Sequence, residues 1–107
     1  MKHAFHPDAL AEYAAAVHAY EETQPGLGAR FVEHTEAAIA AVCSSPDRWP
    51  VLEQDIRRRL TRIFPFAILY TVEEDYVLIV AVMHCHRKPG YWYGRVATHA
   101  GQVADGE

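Results

Sequence analysis

The chain has 107 residues, half of them hydrophobic, and a formal net charge of −4. This length fits one domain with one modest core, and the apolar content excludes a chain that is disordered throughout. No apolar run approaches the roughly 20 residues that a membrane span needs. The first residues also lack the apolar stretch of a secretory signal. We therefore expect a cytoplasmic protein with no membrane partner.

Charge is distributed unevenly along the chain. Residues 1–47 contain two basic and seven acidic side chains, whereas residues 48–95 contain eight basic and five acidic ones. A basic half favours an anionic partner, either a nucleic acid or an acidic protein segment. The alternative is a solvated surface of mixed charge.

A short strand and a helix are predicted first. Residues 2–6 can form the strand, and Pro7 is typical of the first turn of a helix. Apolar side chains at helical spacing predict an amphipathic helix over residues 7–22. Glu12 falls on its predicted solvent side.

A second helix is predicted from Leu27 to Cys43, after the break at Thr23-Gln24-Pro25-Gly26. So short a connection makes the two helices antiparallel neighbours. Two prolines then exclude a helix over residues 44–50, which we interpret as a loop.

The remaining pattern predicts strands. They cover residues 56–64, 66–72 and 76–85, and their short links indicate an antiparallel meander. The last of these strands is apolar on both faces, which predicts a central position in the sheet. The order βααβββ predicts a two-layer α+β fold over residues 1–96, with a helix hairpin on a small, mostly antiparallel sheet. Residues 97–107 are expected to form a flexible tail.

Basic side chains are concentrated at both ends of the meander. Guanidinium groups suit carboxylates and phosphates, so we predict one exposed anion-binding zone on the sheet face opposite the helices. Its members are Arg57, Arg58, Arg59, Arg62, Arg87, Lys88 and Arg95. The alternative is that some of them pair with carboxylates of the same chain, such as Glu53.

The segment after the last strand carries titratable and aromatic side chains. His84 and His86 lie two apart, which is typical of a metal pair, but no further ligands appear at suitable spacing. We therefore predict ordinary strand-end histidines, with no metal or cofactor. Trp92 and Trp49 are expected in the core, although aromatic rings beside arginines can also stack on RNA bases.

An RNA-cleaving site is an open alternative at this position. Cleavage through the 2′-hydroxyl needs a base, an acid and cations around the phosphate. His84 or His86 can titrate near neutrality, and Tyr91 or Tyr93 can donate a proton. The phosphate can be held by Arg58, Arg62 and Arg87. No spacing rule marks these residues as a site, and the sequence alone leaves open whether the protein is an enzyme.

Two stretches read in order, IRRRLTRIFPFAILY and AVMHCHRKPGYW, carry a family resemblance. With the preceding helices, they make residues 3–95 similar to the RelE/ParE superfamily, the toxins of type II toxin–antitoxin modules that are often called plasmid stabilisation proteins. The resemblance implies a bacterial growth inhibitor with the helix hairpin and sheet described above. It also implies a cognate antitoxin whose acidic, partly disordered segment masks the basic surface.

The superfamily divides by target. The ParE-like branch inhibits DNA gyrase by protein contact, and the RelE-like branch resembles ribosome-dependent mRNA endonucleases. The resemblance allows Arg58, Arg62 and Arg87 as phosphate-binding residues, with Tyr91 or Tyr93 as the terminal tyrosine. It also allows Glu53 with His84 or His86 as a base and acid pair.

This chain departs from the RelE-like pattern, because Lys2 and Lys88 are its only lysines and its net charge is acidic. We therefore predict a ParE-like toxin. The alternatives are a RelE-like endoribonuclease and a non-toxic member that acts only as a binding partner.

Overall fold

A computed structural model describes residues 1–88 and 90–96. In chain order the elements are β1 (Lys2–Phe5), α1 (Pro7–Thr23), α2 (Leu27–Ser44), β2 (Val51–Glu53), β3 (Ile56–Leu60), β4 (Phe66–Val72) and β5 (Tyr76–His84). The strands form one five-stranded sheet in the order β1-β5-β4-β3-β2. The predicted α+β fold is confirmed. The predicted tail, residues 97–107, lies outside the described residues.

The sheet is antiparallel from β2 to β5, and β1 is added in parallel beside β5. β5 is therefore an interior strand, but the central position predicted for it is taken by β4. The strand β2 was not predicted, because three residues after a proline are too few to show a period.

The strand β3 ends at Leu60, four residues earlier than predicted. The hydroxyl of Thr61 donates to the carbonyl oxygens of Phe64 and Phe66, and Ile63 takes a left-handed φ of 73°. Because of this turn, the chain no longer runs along the strand by residue 64.

The two helices approach closely where their hairpin begins. Gly26 adopts a φ of 90°, a left-handed conformation that costs glycine little. A Cβ at Gly28 would lie 2.8 Å from the carbonyl oxygen of Val17, so only glycine allows α2 to start this near α1. The Glu21 carboxylate accepts hydrogen bonds from both glycine N–H groups, which fixes the turn.

Apolar side chains cover both faces of the sheet. The helices pack on one face, where Phe31, Ile68 and Tyr70 are fully buried. On the opposite face Trp92 folds back over Ile56 and forms a second, smaller cluster. The predicted core position of Trp92 is confirmed, and this face is therefore partly closed rather than left open for arginines.

Candidate functional site

The arginines of β3 lie on both faces of the sheet. Arg57 pairs with Tyr70 and Arg59 with Ile68, which belong to the helix-side cluster, whereas Arg58 pairs with Leu69 of the opposite cluster. Directly paired residues share a face. The predicted single zone opposite the helices is therefore wrong for Arg57 and Arg59.

Both helix-side arginines interact with the loop before β2. Arg57 donates from Nη1 to the carbonyl oxygens of Asp47 and Trp49 at 3.0 and 2.6 Å, and its Nη2 lies 3.9 Å from Asp47 Oδ1. The guanidinium of Arg59 lies 4.4 Å from the centre of the Trp49 ring. Trp49 is half-buried and packs on the edge of the helix-side core. These contacts position the loop and leave little of Arg57 for a partner.

Arg95 is also unavailable, because an internal carboxylate pairs with it. Its Nη1 and Nη2 donate to Glu12 Oε1 and Oε2 at 2.7 and 2.9 Å. The hydroxyl of Tyr91 donates to Glu12 Oε2 at 2.5 Å, and Val82 N donates to Oε1 at 3.1 Å. Glu12, predicted on the solvent side of α1, instead connects the helix, β5 and the segment after it.

The side chains of Glu12 and Arg95 bond to the backbone of β5 beyond the end of β1, where a strand would otherwise pair. β1 stops opposite Ile79, so within the described part of the chain the next backbone groups of β5 have no strand partner on that side. Arg95 Nη1 donates to the carbonyl oxygen of Val80, and Glu12 accepts from the N–H of Val82. Side chains thereby satisfy backbone groups that would otherwise be unpaired.

Protonation in the cluster follows from burial and from Glu12. Burial, followed by the hydrogen bond to Glu12, raises the pKa of Tyr91 well above its ordinary value. The same carboxylate raises the pKa of Arg95. Tyr91 therefore keeps its hydroxyl proton at neutral pH and donates it in a hydrogen bond to Glu12, and Arg95 stays charged.

Three of the four candidate catalytic residues line one shallow groove against α1. His84, Arg87 and Tyr91 surround a volume of about 230 Å³ together with Glu12. His86 lies beside it in the turn after β5, with its ring centre 5.2 Å from that of His84.

The two histidines are joined by a turn rather than by strand alternation. The N–H of His86 donates to Nδ1 of His84 at 3.1 Å, which occupies that ring nitrogen. Within residues 1–88 and 90–96, no group of three or more His, Cys, Asp or Glu side chains is arranged to hold a metal ion.

The electrostatic balance of this region is close to neutral. Arg87 and Arg95 supply two positive charges, and Asp8, 3.8 Å from Arg95, and Glu12 supply two negative ones. The ring of Tyr91 is stacked by both guanidinium groups, at 4.2 and 5.0 Å. A phosphate entering here would meet a carboxylate as well as cations.

Arg58 and Arg87 line a second groove, on the sheet face opposite the helices. Its volume is about 290 Å³. Among residues 1–88 and 90–96, neither side chain is paired with a carboxylate. The groove is otherwise lined by Leu52, Glu53, Met83, Cys85, Gly90, Trp92 and Tyr93. Tyr93 donates its hydroxyl to Glu53, so neither residue is brought to the histidines. Arg62 and Lys88 are exposed outside this groove.

Glu12 is the residue that sequence reasoning missed. It lies three residues after Ala9 and four before Ala16, which are buried and partly buried against the helix-side core. That spacing puts Glu12 beside the apolar stripe of α1 and was the available signal.

The chain matches the family model described as "ParE toxin of type II toxin-antitoxin system, parDE" over residues 4–89. The chain belongs to the ParE toxin family. It is thus a RelE/ParE superfamily toxin of the type II class, as predicted.

A solved structure supports the fold of this ParE family member. A chain from the chromosomal ParDE toxin–antitoxin system of P. aeruginosa is 15% identical with a TM-score of 0.70, covering 78% of this chain and 95% of its own. No curated protein matches the sequence. In the described part of the chain, no helix is both long and apolar enough to cross a membrane.

Proposed function

We propose that this toxin acts in the bacterial cytoplasm by protein contact with DNA gyrase, and that a cognate antitoxin neutralises it. The observation that carries the choice is the position of Glu12. Its carboxylate lies in the groove that holds three of the four candidate catalytic residues, and it accepts a hydrogen bond from the hydroxyl of Tyr91. Membership of the ParE family supports the same choice.

Cleavage of RNA would need different electrostatics at this place. A phosphorane requires excess positive charge and an acid free to donate. Here the Arg95 guanidinium is paired at 2.7 Å, and the Tyr91 hydroxyl is directed at a carboxylate. These bonds stabilise the segment after β5 and disfavour phosphate binding.

The groove between Arg58 and Arg87 suits the antitoxin. Exposed guanidinium groups at its sides can pair with carboxylates, and Leu52, Met83 and Trp92 offer apolar surface between them. An acidic segment with interspersed apolar residues matches both features. Membership of the ParE family supports an antitoxin partner.

A supercoiling assay with purified toxin and DNA gyrase tests the proposal. We expect dose-dependent loss of supercoiling, restored by the protein encoded in the neighbouring reading frame. Full gyrase activity at saturating toxin would contradict gyrase as the target. Harmless overexpression without antitoxin would instead indicate a non-toxic binding partner.

The endoribonuclease remains a second candidate, because His84, Arg87 and Tyr91 do share one groove. Primer extension on translated mRNA after toxin induction distinguishes it. Cuts within ribosome-bound codons that disappear in Arg87→Ala would favour this activity, whereas intact mRNA during growth arrest would remove it.

A further inference from the structure

Two buried N–H donors near the β2 edge of the sheet have no hydrogen-bond partner among residues 1–88 and 90–96. They are Nε1 of Trp49 and Nε of Arg59. Native proteins rarely leave such groups unpaired, because a buried donor that has lost water is costly. Both atoms are buried, so an acceptor from outside the chain can reach them once the two side chains turn toward it, and its binding would satisfy both donors.

Both side chains line the same cavity, which has a volume of about 170 Å³. Pro50, Arg58 and Leu60 complete its wall. Arg58 and Arg59 supply the two positive charges of its lining, and Arg48 lies nearby, with its guanidinium 4.9 Å from the centre of the Trp49 ring. In the described part of the chain, no carboxylate pairs with Arg48, Arg58 or Arg59. The cavity is therefore strongly cationic.

The free donors define the ligand chemistry. Arg59 uses Nη1 for the carbonyl oxygen of Leu60, which leaves its Nε–Nη2 edge without a bond. That edge matches the two oxygens of a carboxylate side-on. The indole N–H of Trp49 supplies a further donor beside it.

The surroundings indicate a peptide rather than a small free anion. β2 is the edge strand of the sheet, and its Val51 and Leu52 are 51% and 42% exposed. Leu60 on β3 is 46% exposed. Apolar side chains of a bound segment can cover these residues while an acidic side chain enters the cavity.

We propose that the cavity between Trp49 and Arg59 is a receptor for one glutamate or aspartate side chain of an acidic peptide segment. This inference rests on the proposed function, because the antitoxin is the partner expected to supply such a segment. It adds a contact at the β2 edge, separate from Arg87.

The indole N–H signals of the two tryptophans provide a direct test by ¹H–¹⁵N NMR. The probe is glutamate capped by acetyl and N-methylamide groups, and the matched control is the same compound made from glutamine. We expect a saturable downfield shift of the Trp49 signal, with the glutamate probe binding about tenfold more tightly than the glutamine probe. The Trp92 signal should stay unchanged, because that ring is buried under the other face.

Two variants distinguish binding in the cavity from a general effect of positive charge. Arg59→Lys keeps the charge but removes the Nε–H, so we expect about tenfold weaker binding of the glutamate probe. Arg62→Lys, at an exposed site outside the cavity, should bind like the wild type. An unmoved Trp49 signal, or equal responses to both probes, would overturn the proposal.

Inorganic phosphate is the remaining probe. Tighter binding of phosphate than of capped glutamate would show a phosphate site and also overturn the peptide receptor. None of these measurements uses gyrase, so failure of the cavity and failure of the proposed target give separate results.

Discussion

The guanidinium of Arg95 and the carboxylate of Glu12 form a two-pronged ion pair between residues 83 positions apart. Both side chains are largely buried, with 13% and 16% exposed. The pair holds the segment after β5 against α1. The hydroxyl of Tyr91 is held in the same place by its hydrogen bond to Glu12. The pair is a structural clamp in the place where the superfamily resemblance allows catalytic residues.

Replacing Glu12 by glutamine should destabilise the protein strongly. The change leaves the buried Arg95 charge to the exposed carboxylate of Asp8, 3.8 Å away, and removing one partner of a buried pair costs about 3–5 kcal/mol. Urea denaturation followed by fluorescence measures the loss. Glu22→Gln is the matched control, because its pairing with His18 is exposed and should change the free energy of unfolding by less than about 0.5 kcal/mol. Equal losses in the two variants would contradict the clamp.

Replacing Thr35 by valine should stabilise the protein. The Thr35 side chain is fully buried in α2, and among the residues that the structure describes its hydroxyl has no hydrogen-bond partner. Valine keeps the shape and removes the unpaired group, so the free energy of unfolding should rise by roughly 1 kcal/mol. Thr61→Val is the counterpart, because its buried hydroxyl donates to Phe64 and Phe66 and its loss should destabilise. The prediction is lost if Thr35→Val lowers the melting temperature.

Alkaline pH should weaken the fold partly through Tyr70. This hydroxyl donates to the carbonyl oxygen of Pro46 at 2.6 Å, and burial raises the pKa of Tyr70 from 10.0 to about 12. The folded state thus favours the neutral phenol. Its contribution is complete below pH 10 and declines as the pH rises from 10 to 12.

Tyr70→Phe isolates this contribution. The variant should lose stability at pH 8 because the hydrogen bond is gone, but its stability should fall less steeply than that of the wild type above pH 10. Urea titrations at several pH values measure both slopes. Burial also raises the pKa values of Tyr13 and Tyr91. The stability of the variant should therefore still fall to some extent above pH 10. Identical slopes in wild type and variant would contradict the role given to Tyr70.

Charge reversal of both Arg58 and Arg87 should weaken the complex with the cognate antitoxin. These guanidinium groups line the open groove, and juxtaposed like charges slow association and cost affinity. We expect at least about tenfold weaker binding, mainly in the association rate, by surface plasmon resonance. Arg30→Glu, an exposed reversal on α2, is the control and should bind normally. Unchanged affinity in the double variant would show that the antitoxin binds at another surface.

Sequence reasoning placed the helices and the long strands within a few residues, because each shows a clear apolar period. It failed for β2, which is too short to show one, and for the end of β3, where a turn around Ile63 interrupts the strand. Within the candidate site it named Arg58 and Arg87 correctly as exposed cations. It assigned Arg95 to the same surface, although an internal carboxylate already pairs with it.

Local spacing and composition determined the order of elements, the basic second half of the chain and the motifs that resemble the toxin superfamily. These are properties of neighbouring residues, so they can be read along the chain. The tertiary structure alone decided which arginines of β3 face the helices, that Glu12 is bonded to Arg95, and that Trp49 and Arg59 share one cavity. Each of these depends on which surfaces meet after folding, and residues far apart in sequence determine that.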